Sequence, residues 1–276
     1  MLPLKSFIVC EDEVLIQESS SKGNQVKFCK EGYWIKQDTL GYESLAECVT
    51  SDILELLNWD HVTYGPCKVV YADTGRIVRG CYSEDALKGA TEITLGRAIE
   101  KIGHTSVSEL WSDCTTIGEK CVKLSEVLEP FITSSELNLY LARLVLIDAL
   151  TMNEDRHTHN IAFTLADERL IPMPIFDNGA AFCSDIVTPS GYPMDMRVSE
   201  CLALVASKPF SRSFDEQAAY FLSLGNCDFW PPESILSIPT QYAQYYDGSI
   251  IERVTNILRI RRNYFCARAR ASNFFT

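Results

Sequence analysis

A long apolar segment that ends in a very polar loop is the feature that most restricts how this chain folds. Residues 139–150 are almost continuously apolar, and the sequence from Thr133 to Glu136 just before them has the pattern of a helix capping box. We therefore predict a buried helix over residues 137–151. The apolar run is 12 residues long and contains two charged side chains, so it is too short and too polar to span a membrane.

Three oxygen-bearing side chains follow the predicted helix. Asp155 and Asn160 lie five residues apart on the polar loop, and Asp177 ends a later apolar strand, close to Gly179. A loop followed by a tight hairpin can bring these side chains together, and oxygen ligands suit Mg²⁺ better than Zn²⁺. One carboxylate then remains to position or deprotonate a hydroxyl, which is the set of groups that phosphoryl transfer requires.

The same residues resemble a known family. The sequence EDRHTHN at residues 154–160, followed by FDNG at residues 176–179, is similar to the catalytic and metal-binding loops of the HipA-type bacterial serine/threonine kinases. It is also similar to the DRHxxN and DxG motifs of the phosphatidylinositol-kinase-like group. The resemblance covers about residues 15–180. It implies ATP and Mg²⁺ as cofactors, Asp155 as the catalytic residue, and Asn160 and Asp177 as metal ligands.

Such an enzyme also needs a lysine on an N-terminal strand and an acidic partner on a helix. Residues 26–38 are rich in β-forming residues and have a turn at Glu31-Gly32, which predicts a hairpin that ends in the strand YWIK. Lys36, in the strand sequence YWIKQD, resembles the family's strand lysine. The segment 43–57 has helical spacing of its apolar residues. In this predicted helix Glu47 resembles the glutamate that pairs with the lysine, and Glu43, one turn earlier, is the alternative.

A loop of small and polar residues precedes this strand, where the resemblance places the phosphate-binding loop. It consists of Ser19, Ser20, Ser21, Lys22 and Gly23. Small residues let backbone N–H groups approach phosphate oxygens. The loop lacks the G-x-G-x-x-G pattern of ordinary protein kinases and is similar to the short Ser/Gly loop of HipA-type enzymes. We predict that the enzyme phosphorylates one of these serines and that the added negative charge then weakens ATP binding.

The distribution of β-forming and helical patterns predicts an α+β, two-lobed, protein-kinase-like fold. Residues 1–85 would form a β-rich nucleotide-binding N-lobe, and residues 86–276 a mostly helical C-lobe that carries the catalytic and metal-binding loops. Four residues would form the hinge between the lobes and offer their backbone to adenine. They are Gly80, Cys81, Tyr82 and Ser83.

The balance of charges narrows the classes of partner. The chain has 25 lysines and arginines against 37 aspartates and glutamates, a net charge of −12. A nucleic-acid coat or a binder of anionic membranes needs a positive field, so we expect neither partner. The eleven cysteines include no C-x-x-C pair, and no secretory signal is present at the N-terminus, which indicates a reducing cytoplasm. The expected partners are ATP and a protein with a Ser or Thr acceptor, which includes a copy of this chain.

Other interpretations stay open at this point. The Asp and Asn residues could be ordinary turn residues, and His157 and His159 could join Asp155 and Asp177 in a metal-dependent hydrolase. His157 fits better as a brace for the catalytic loop. The arginines of residues 253–270 could form a basic patch or pair with the acidic body. A small-molecule or lipid kinase and a nucleotide-binding pseudokinase are the alternatives to a protein kinase.

Overall fold

Strands dominate the N-terminal part of the chain and helices the C-terminal part. The computed structural model describes residues 4–15, 25–87 and 89–273. The strands are β1 (Lys5–Val9), β2 (Lys27–Lys30), β3 (Tyr33–Gln37), β4 (Gly65–Tyr71), β5 (Ile77–Glu84), β6 (Glu92–Thr94), β7 (Ala162–Ala166) and β8 (Arg169–Pro172). The helices are α1 (Glu43–Leu56), α2 (Leu95–Gly103), α3 (Val107–Leu110), α4 (Ile117–Leu128), α5 (Ser134–Thr151), α6 (Val198–Leu204), α7 (Phe214–Ser223) and α8 (Gly248–Asn273). The predicted α+β class is confirmed.

The N-terminal strands form one five-stranded sheet, as far as the described residues show, in the order β1-β4-β5-β3-β2. The predicted hairpin β2–β3 is present, and its turn at Glu31-Gly32 has positive φ at both residues (54° and 80°). Only β1 pairs in parallel with its neighbour, β4. The remaining described strands form a small antiparallel sheet, β6-β7-β8, on the helical side.

The predicted hinge lies in the wrong place. Gly80, Cys81, Tyr82 and Ser83 are inside β5, and the first three pair with β3 on one side and β4 on the other. Backbone groups that serve two neighbouring strands do not form a connection between lobes. Gly80 has a packing role instead, because a Cβ atom there would lie 2.6 Å from the carbonyl oxygen of Lys36. The chain leaves the sheet after Glu84.

Helix α1 joins the sheet to the helical part. A small apolar core packs on one face of the sheet, whereas α1 contributes Leu45, Val49 and Ile53 to the large core that α5 and the later helices share. The loop before α1 also touches the chain after Asp177: a Cβ atom at Gly41 would lie 2.2 Å from the carbonyl oxygen of Ser184. The division at residue 85 stays a prediction.

Helix α5 is the central helix of the large core. Its N-terminus has the predicted capping box: the backbone N–H of Glu136 donates to Thr133 Oγ1, and the Glu136 carboxylate accepts from the backbone N–H of Thr133. It ends after Thr151, where Met152 has a φ of 58° and turns the chain into the polar loop. None of the helices in the described ranges combines the length and the apolar composition needed to cross a bilayer.

Two arginines of α8 are buried and donate hydrogen bonds to other parts of the protein. Arg253 is buried and donates to the carbonyl oxygens of Tyr192 and Pro193. Arg261, also buried, donates to the carbonyl oxygen of Ala149 and to Asp215. These contacts tie α8 to the body of the protein, and the one between Arg261 and Asp215 is the acidic pairing that the second interpretation expected.

Candidate active site

Lys36 lies between two carboxylates that come from distant parts of the chain. Its Nζ atom is 2.5 Å from Glu47 Oε1 on α1 and 2.6 Å from Asp177 Oδ1 on the loop after β8. Glu47 Oε2 accepts the backbone N–H of Asn178 at 2.8 Å, so the glutamate holds the lysine and the loop together. We call Lys36, Glu47 and Asp177 the lysine cluster. Its first two side chains are buried, and Asp177 is 25% exposed.

Glu43, the alternative partner, does not contact Lys36. Its carboxylate accepts the backbone N–H groups of Thr39, Leu40 and Gly41 at 3.1, 2.6 and 2.9 Å. It therefore satisfies donors in the turn that precedes α1. The lysine contact belongs to Glu47, one turn further along the helix.

The charges of the lysine cluster stabilise one another. Burial raises the pKa of Asp177, but the positive charges of Lys36 and Lys27 outweigh burial and hold that pKa well below its usual range. Burial lowers the pKa of Lys36, and the carboxylates of Asp177 and Glu47 outweigh it and raise the pKa well above its usual value. The lysine is thus a permanent cation and Asp177 a permanent anion at neutral pH.

Asp155 and Asn160 lie on the loop that α5 leads into. Asn160 donates its Nδ2 atom to the backbone oxygen of Asp155 at 2.8 Å, which orients the amide and closes the loop. The Asn153 side chain accepts the backbone N–H of Asp155 at 3.3 Å. The Asp155 carboxylate itself is 13% exposed, so solvent still reaches it.

A fully buried arginine underlies this loop. Arg156 donates to both carboxylate oxygens of Asp148 on α5, at 2.9 and 3.1 Å, and to the side chain of Asn178 at 2.6 Å. It also donates to the backbone oxygens of Asn160 and Phe176. We call Arg156, Asp148 and Asn178 the arginine cluster. It fixes the loop of Asp155 against the loop of Asp177, a role that the sequence motif alone did not reveal.

The two histidines of the loop behave as a brace. His157 Nδ1 accepts the backbone N–H of His159 at 3.2 Å, as predicted for His157. Burial lowers the pKa of His157, which favours the neutral ring. Across the described ranges, no group of three or more His, Cys, Asp or Glu side chains is placed to hold a metal ion, so the hydrolase interpretation gains no support.

One residue that contacts the loop had no signal in the sequence. Lys208 donates its Nζ atom to Asp155 Oδ1 at 3.0 Å, from a position 53 residues further along the chain. The predicted phosphate-binding residues Ser19, Ser20, Ser21, Lys22 and Gly23 lie outside the described residues. Their role and the proposed phosphorylation of a loop serine stay predictions.

Comparison with known proteins finds likeness in structure alone. No protein-family model matches the sequence, and no curated protein matches it significantly. The proinflammatory kinase CtkA of Helicobacter pylori superposes with a TM-score of 0.61 at 15% sequence identity, over 94% of each chain. HipA from the Shewanella oneidensis MR-1 toxin–antitoxin system superposes with a TM-score of 0.48 at 12% identity, over 91% of this chain and 62% of HipA.

The likeness to CtkA extends beyond the loops of Asp155 and Asp177, through both the sheet and the helical part. In this chain a strand lysine, a helix glutamate and two carboxylate-bearing loops lie at one junction of sheet and helices. The chain has the two-lobed protein-kinase-like fold, β-rich in its N-lobe and helical in its C-lobe, that CtkA has.

Proposed function

We propose that this chain is a phosphotransferase that uses ATP and Mg²⁺ and transfers the γ-phosphoryl group to a Ser or Thr hydroxyl of a protein. The observation that carries the proposal is the lysine cluster, in which a strand lysine contacts a helix carboxylate and a loop carboxylate at once. A buried cation of this kind is suited to hold the α- and β-phosphates of a nucleotide. The turn-residue and hydrolase interpretations do not explain why Glu47 is fully buried beside it.

The donor chemistry fits a hard divalent cation. Asp177 is held in its ionised form, and Asn160 uses its amide nitrogen for Asp155, which leaves its side-chain oxygen to act as a ligand. One carboxylate, one amide oxygen and the phosphate oxygens of a nucleotide are a common ligand set for Mg²⁺. When bound, the ion would neutralise negative charge on the phosphates.

Asp155 is the residue that would receive the acceptor. Its side chain is reached by solvent, and Lys36 is bonded to Glu47 and Asp177 rather than to Asp155, so a hydroxyl can approach the Asp155 carboxylate without displacing Lys36. Asp155 would orient that hydroxyl and accept its proton as the oxygen attacks the γ-phosphorus. Most of the rate would come from positioning, which the arginine cluster supports by fixing both loops.

The adenine side of the site would differ from the sequence-based expectation. Because the backbone of Gly80, Cys81 and Tyr82 is used within the sheet, the connection that follows Glu84 is the segment that would contact adenine. It leads from β5 to β6, next to the helical part.

The direct test is the fate of the γ-phosphate. The purified chain is incubated with γ-labelled ATP and Mg²⁺, alone and with a lysate, and labelled proteins are identified by peptide mass spectrometry. The Asp155→Asn variant is the matched control, since it keeps the shape of the side chain and loses its capacity to accept a proton. We expect phosphoserine or phosphothreonine with the wild type and none with the variant.

Each other outcome has a meaning. Label that appears only on metabolites or lipids indicates the small-molecule or lipid kinase. Binding of ATP without any transfer indicates the pseudokinase. Equal labelling by the wild type and by Asp155→Asn contradicts the assignment of the catalytic residue.

A further inference from the structure

Lys208 places a second cation at the part of the site where the acceptor would react. Its Nζ atom lies 3.0 Å from Asp155 Oδ1. The Lys208 side chain is 39% exposed and the Asp155 side chain 13% exposed. Solvent therefore reaches both side chains.

The loop that presents Lys208 is held by a buried glutamine. Gln217, on α7, is 2% exposed. Its Nε2 atom donates to Ser207 Oγ at 2.6 Å and to the backbone oxygens of Lys208 and Ser211 at 3.3 and 3.1 Å. Its Oε1 atom accepts the backbone N–H of Phe210 at 3.3 Å. Such support is typical of loops that hold a functional side chain in a fixed position.

Among the described residues, two further cations of the site, Arg156 and Lys36, are bonded to other groups, and the His157 ring lies farther from Asp155, at 3.7 Å. Arg156, the next residue, is fully buried and bonded to Asp148, Asn178 and two backbone oxygens. Lys36 is held by the carboxylates of the lysine cluster. An accessible cation in direct contact with Asp155 is therefore provided by Lys208.

We propose that Lys208 is a catalytic residue of the phosphoryl transfer. This inference goes beyond the proposed function and depends on it. If Asp155 accepts the proton of the acceptor hydroxyl, the acceptor oxygen lies about 2.6–3.2 Å from that carboxylate. An ammonium in contact with the same carboxylate lies near this oxygen and near the phosphorus that it attacks. Because an ammonium has three N–H donors, it can contact Asp155 and a phosphoryl oxygen together.

In this step, the acceptor oxygen forms a bond to the γ-phosphorus. The bond from that phosphorus to the oxygen bridging the β- and γ-phosphates breaks, and ADP leaves with the electron pair. The acceptor proton passes to Asp155, and Lys208 keeps its protons throughout. Charge is spread over the phosphoryl oxygens in the transition state, so a cation placed there increases kcat more than it improves the binding of ATP.

The test compares Lys208→Met and Lys208→Arg with the wild type. Lys101→Met, which changes an exposed lysine on α2, is the matched control. We expect Lys208→Met to lower kcat about 100-fold while the KM for ATP stays within about threefold, as for other groups that stabilise transition-state charge. Lys208→Arg should retain more activity than Lys208→Met, and Lys101→Met should equal the wild type.

A binding measurement without turnover separates a catalytic role from a structural one. ADP with aluminium fluoride and Mg²⁺ imitates the transferring phosphoryl group, whereas ADP with Mg²⁺ does not. We expect Lys208→Met to weaken binding of the first complex by about the same factor as kcat and to leave the affinity for ADP unchanged.

Three results would overturn the inference. In the first, Lys208→Met has the kcat and the aluminium-fluoride affinity of the wild type. In the second, it loses affinity for ADP to the same extent, which indicates a structural role. In the third, the wild type itself transfers no phosphate, and the proposed function fails as well. An active wild type with an unaffected variant overturns the role of Lys208 alone.

Discussion

The lysine cluster and the arginine cluster each bury a cation with carboxylate or amide partners, yet they are built differently. Arg156 is fully buried, and its contacts, to Asp148, to Asn178 and to two backbone oxygens, all lie within the protein. In the lysine cluster, Asp177 remains 25% exposed. The first cluster is closed and the second is open to a ligand.

The difference suggests a separation of roles. A closed cluster contributes to stability and holds loops in place, because removing its cation leaves a buried carboxylate without compensation. An open cluster keeps charge available for a substrate. Variants of the two clusters should therefore differ most in how directly they affect phosphoryl transfer.

The largest expected effect is the loss of phosphoryl transfer when Lys36 of the lysine cluster, the open one, is replaced. Lys36→Met removes the cation that would hold the α- and β-phosphates, and we expect phosphoryl transfer to fall about 10³-fold or more. Lys36→Met also leaves the fully buried Glu47 carboxylate without its cation, so stability should fall as well, and the loss of transfer is the effect that marks the open cluster. Labelled ATP measures the transfer and urea unfolding the stability. Wild-type transfer by this variant would remove the distinction between the clusters.

The closed cluster should show its main effect on stability. Arg156→Met leaves the Asp148 carboxylate buried and unpaired, so we expect a loss of about 3–5 kcal/mol in the free energy of unfolding. Arg169→Met is the matched control, because Arg169 pairs with Glu136 where both side chains are at least half exposed. That control should lie within about 1 kcal/mol of the wild type. Equal stability of the two variants in urea unfolding would contradict the structural role of Arg156.

Asp38, a third buried carboxylate, tests whether a buried carboxylate needs a close cation to stay ionised. The Asp38 side chain is 6% exposed, and the nearest cation that we find for it, Arg79, is 3.9 Å away and half exposed to solvent. Burial, and then the nearby Glu43 carboxylate, raise the pKa of Asp38 to about 7. In an unfolded chain an aspartate has a pKa of about 3.9.

The sign of the pH dependence follows from these two values. Between about pH 4 and pH 7 the folded protein binds more protons at Asp38 than the unfolded chain does, so this residue's contribution to stability falls as the pH rises. Asp38→Asn lacks the charge. Its stability relative to the wild type should therefore increase by roughly 2 kcal/mol between pH 5 and pH 8 in urea unfolding. A difference that does not change with pH would contradict this account of Asp38.

The smallest effect is expected far from both clusters. Thr133→Ala removes the capping side chain at the N-terminus of α5, whose other end leads into the loop of Asp155. We expect a loss of about 1 kcal/mol in the free energy of unfolding and unchanged phosphoryl transfer. Reduced kcat in a fully folded Thr133→Ala protein would show that the open and closed clusters respond to the helix as a whole.

Local sequence patterns predicted the parts of the molecule that depend on neighbouring residues. The capping box at Thr133, the β2–β3 hairpin and helix α1 all have signals within a few residues, and all are confirmed. The contact of Lys36 with Glu47 was also predicted, from the resemblance to the kinase family. The alternative, Glu43, could be set aside only once the turn before α1 was seen to use its carboxylate.

Contacts between distant residues had no such signal. Lys208 contacts Asp155 because Gln217 holds the loop of Lys208 in place. Arg156, on the loop after α5, binds Asp148 near the end of that helix. The hinge was misplaced because β5 continues to Glu84, and turn residues do not reveal how far a strand extends. These features depend on the packing of several elements, which a single sequence does not specify locally.

Calorimetric titration of ATP, with and without Mg²⁺, tests most directly whether the lysine cluster is the nucleotide site and Asp155 the acceptor side. Asp177→Asn is a suitable variant, since Asp177 has a φ of 57° and asparagine tolerates that conformation. The account predicts that Mg²⁺ strengthens ATP binding in the wild type and in Asp155→Asn, and that Asp177→Asn loses this enhancement. Equal Mg²⁺-dependent binding in Asp177→Asn and the wild type, or no binding of ATP by the wild type, would contradict it.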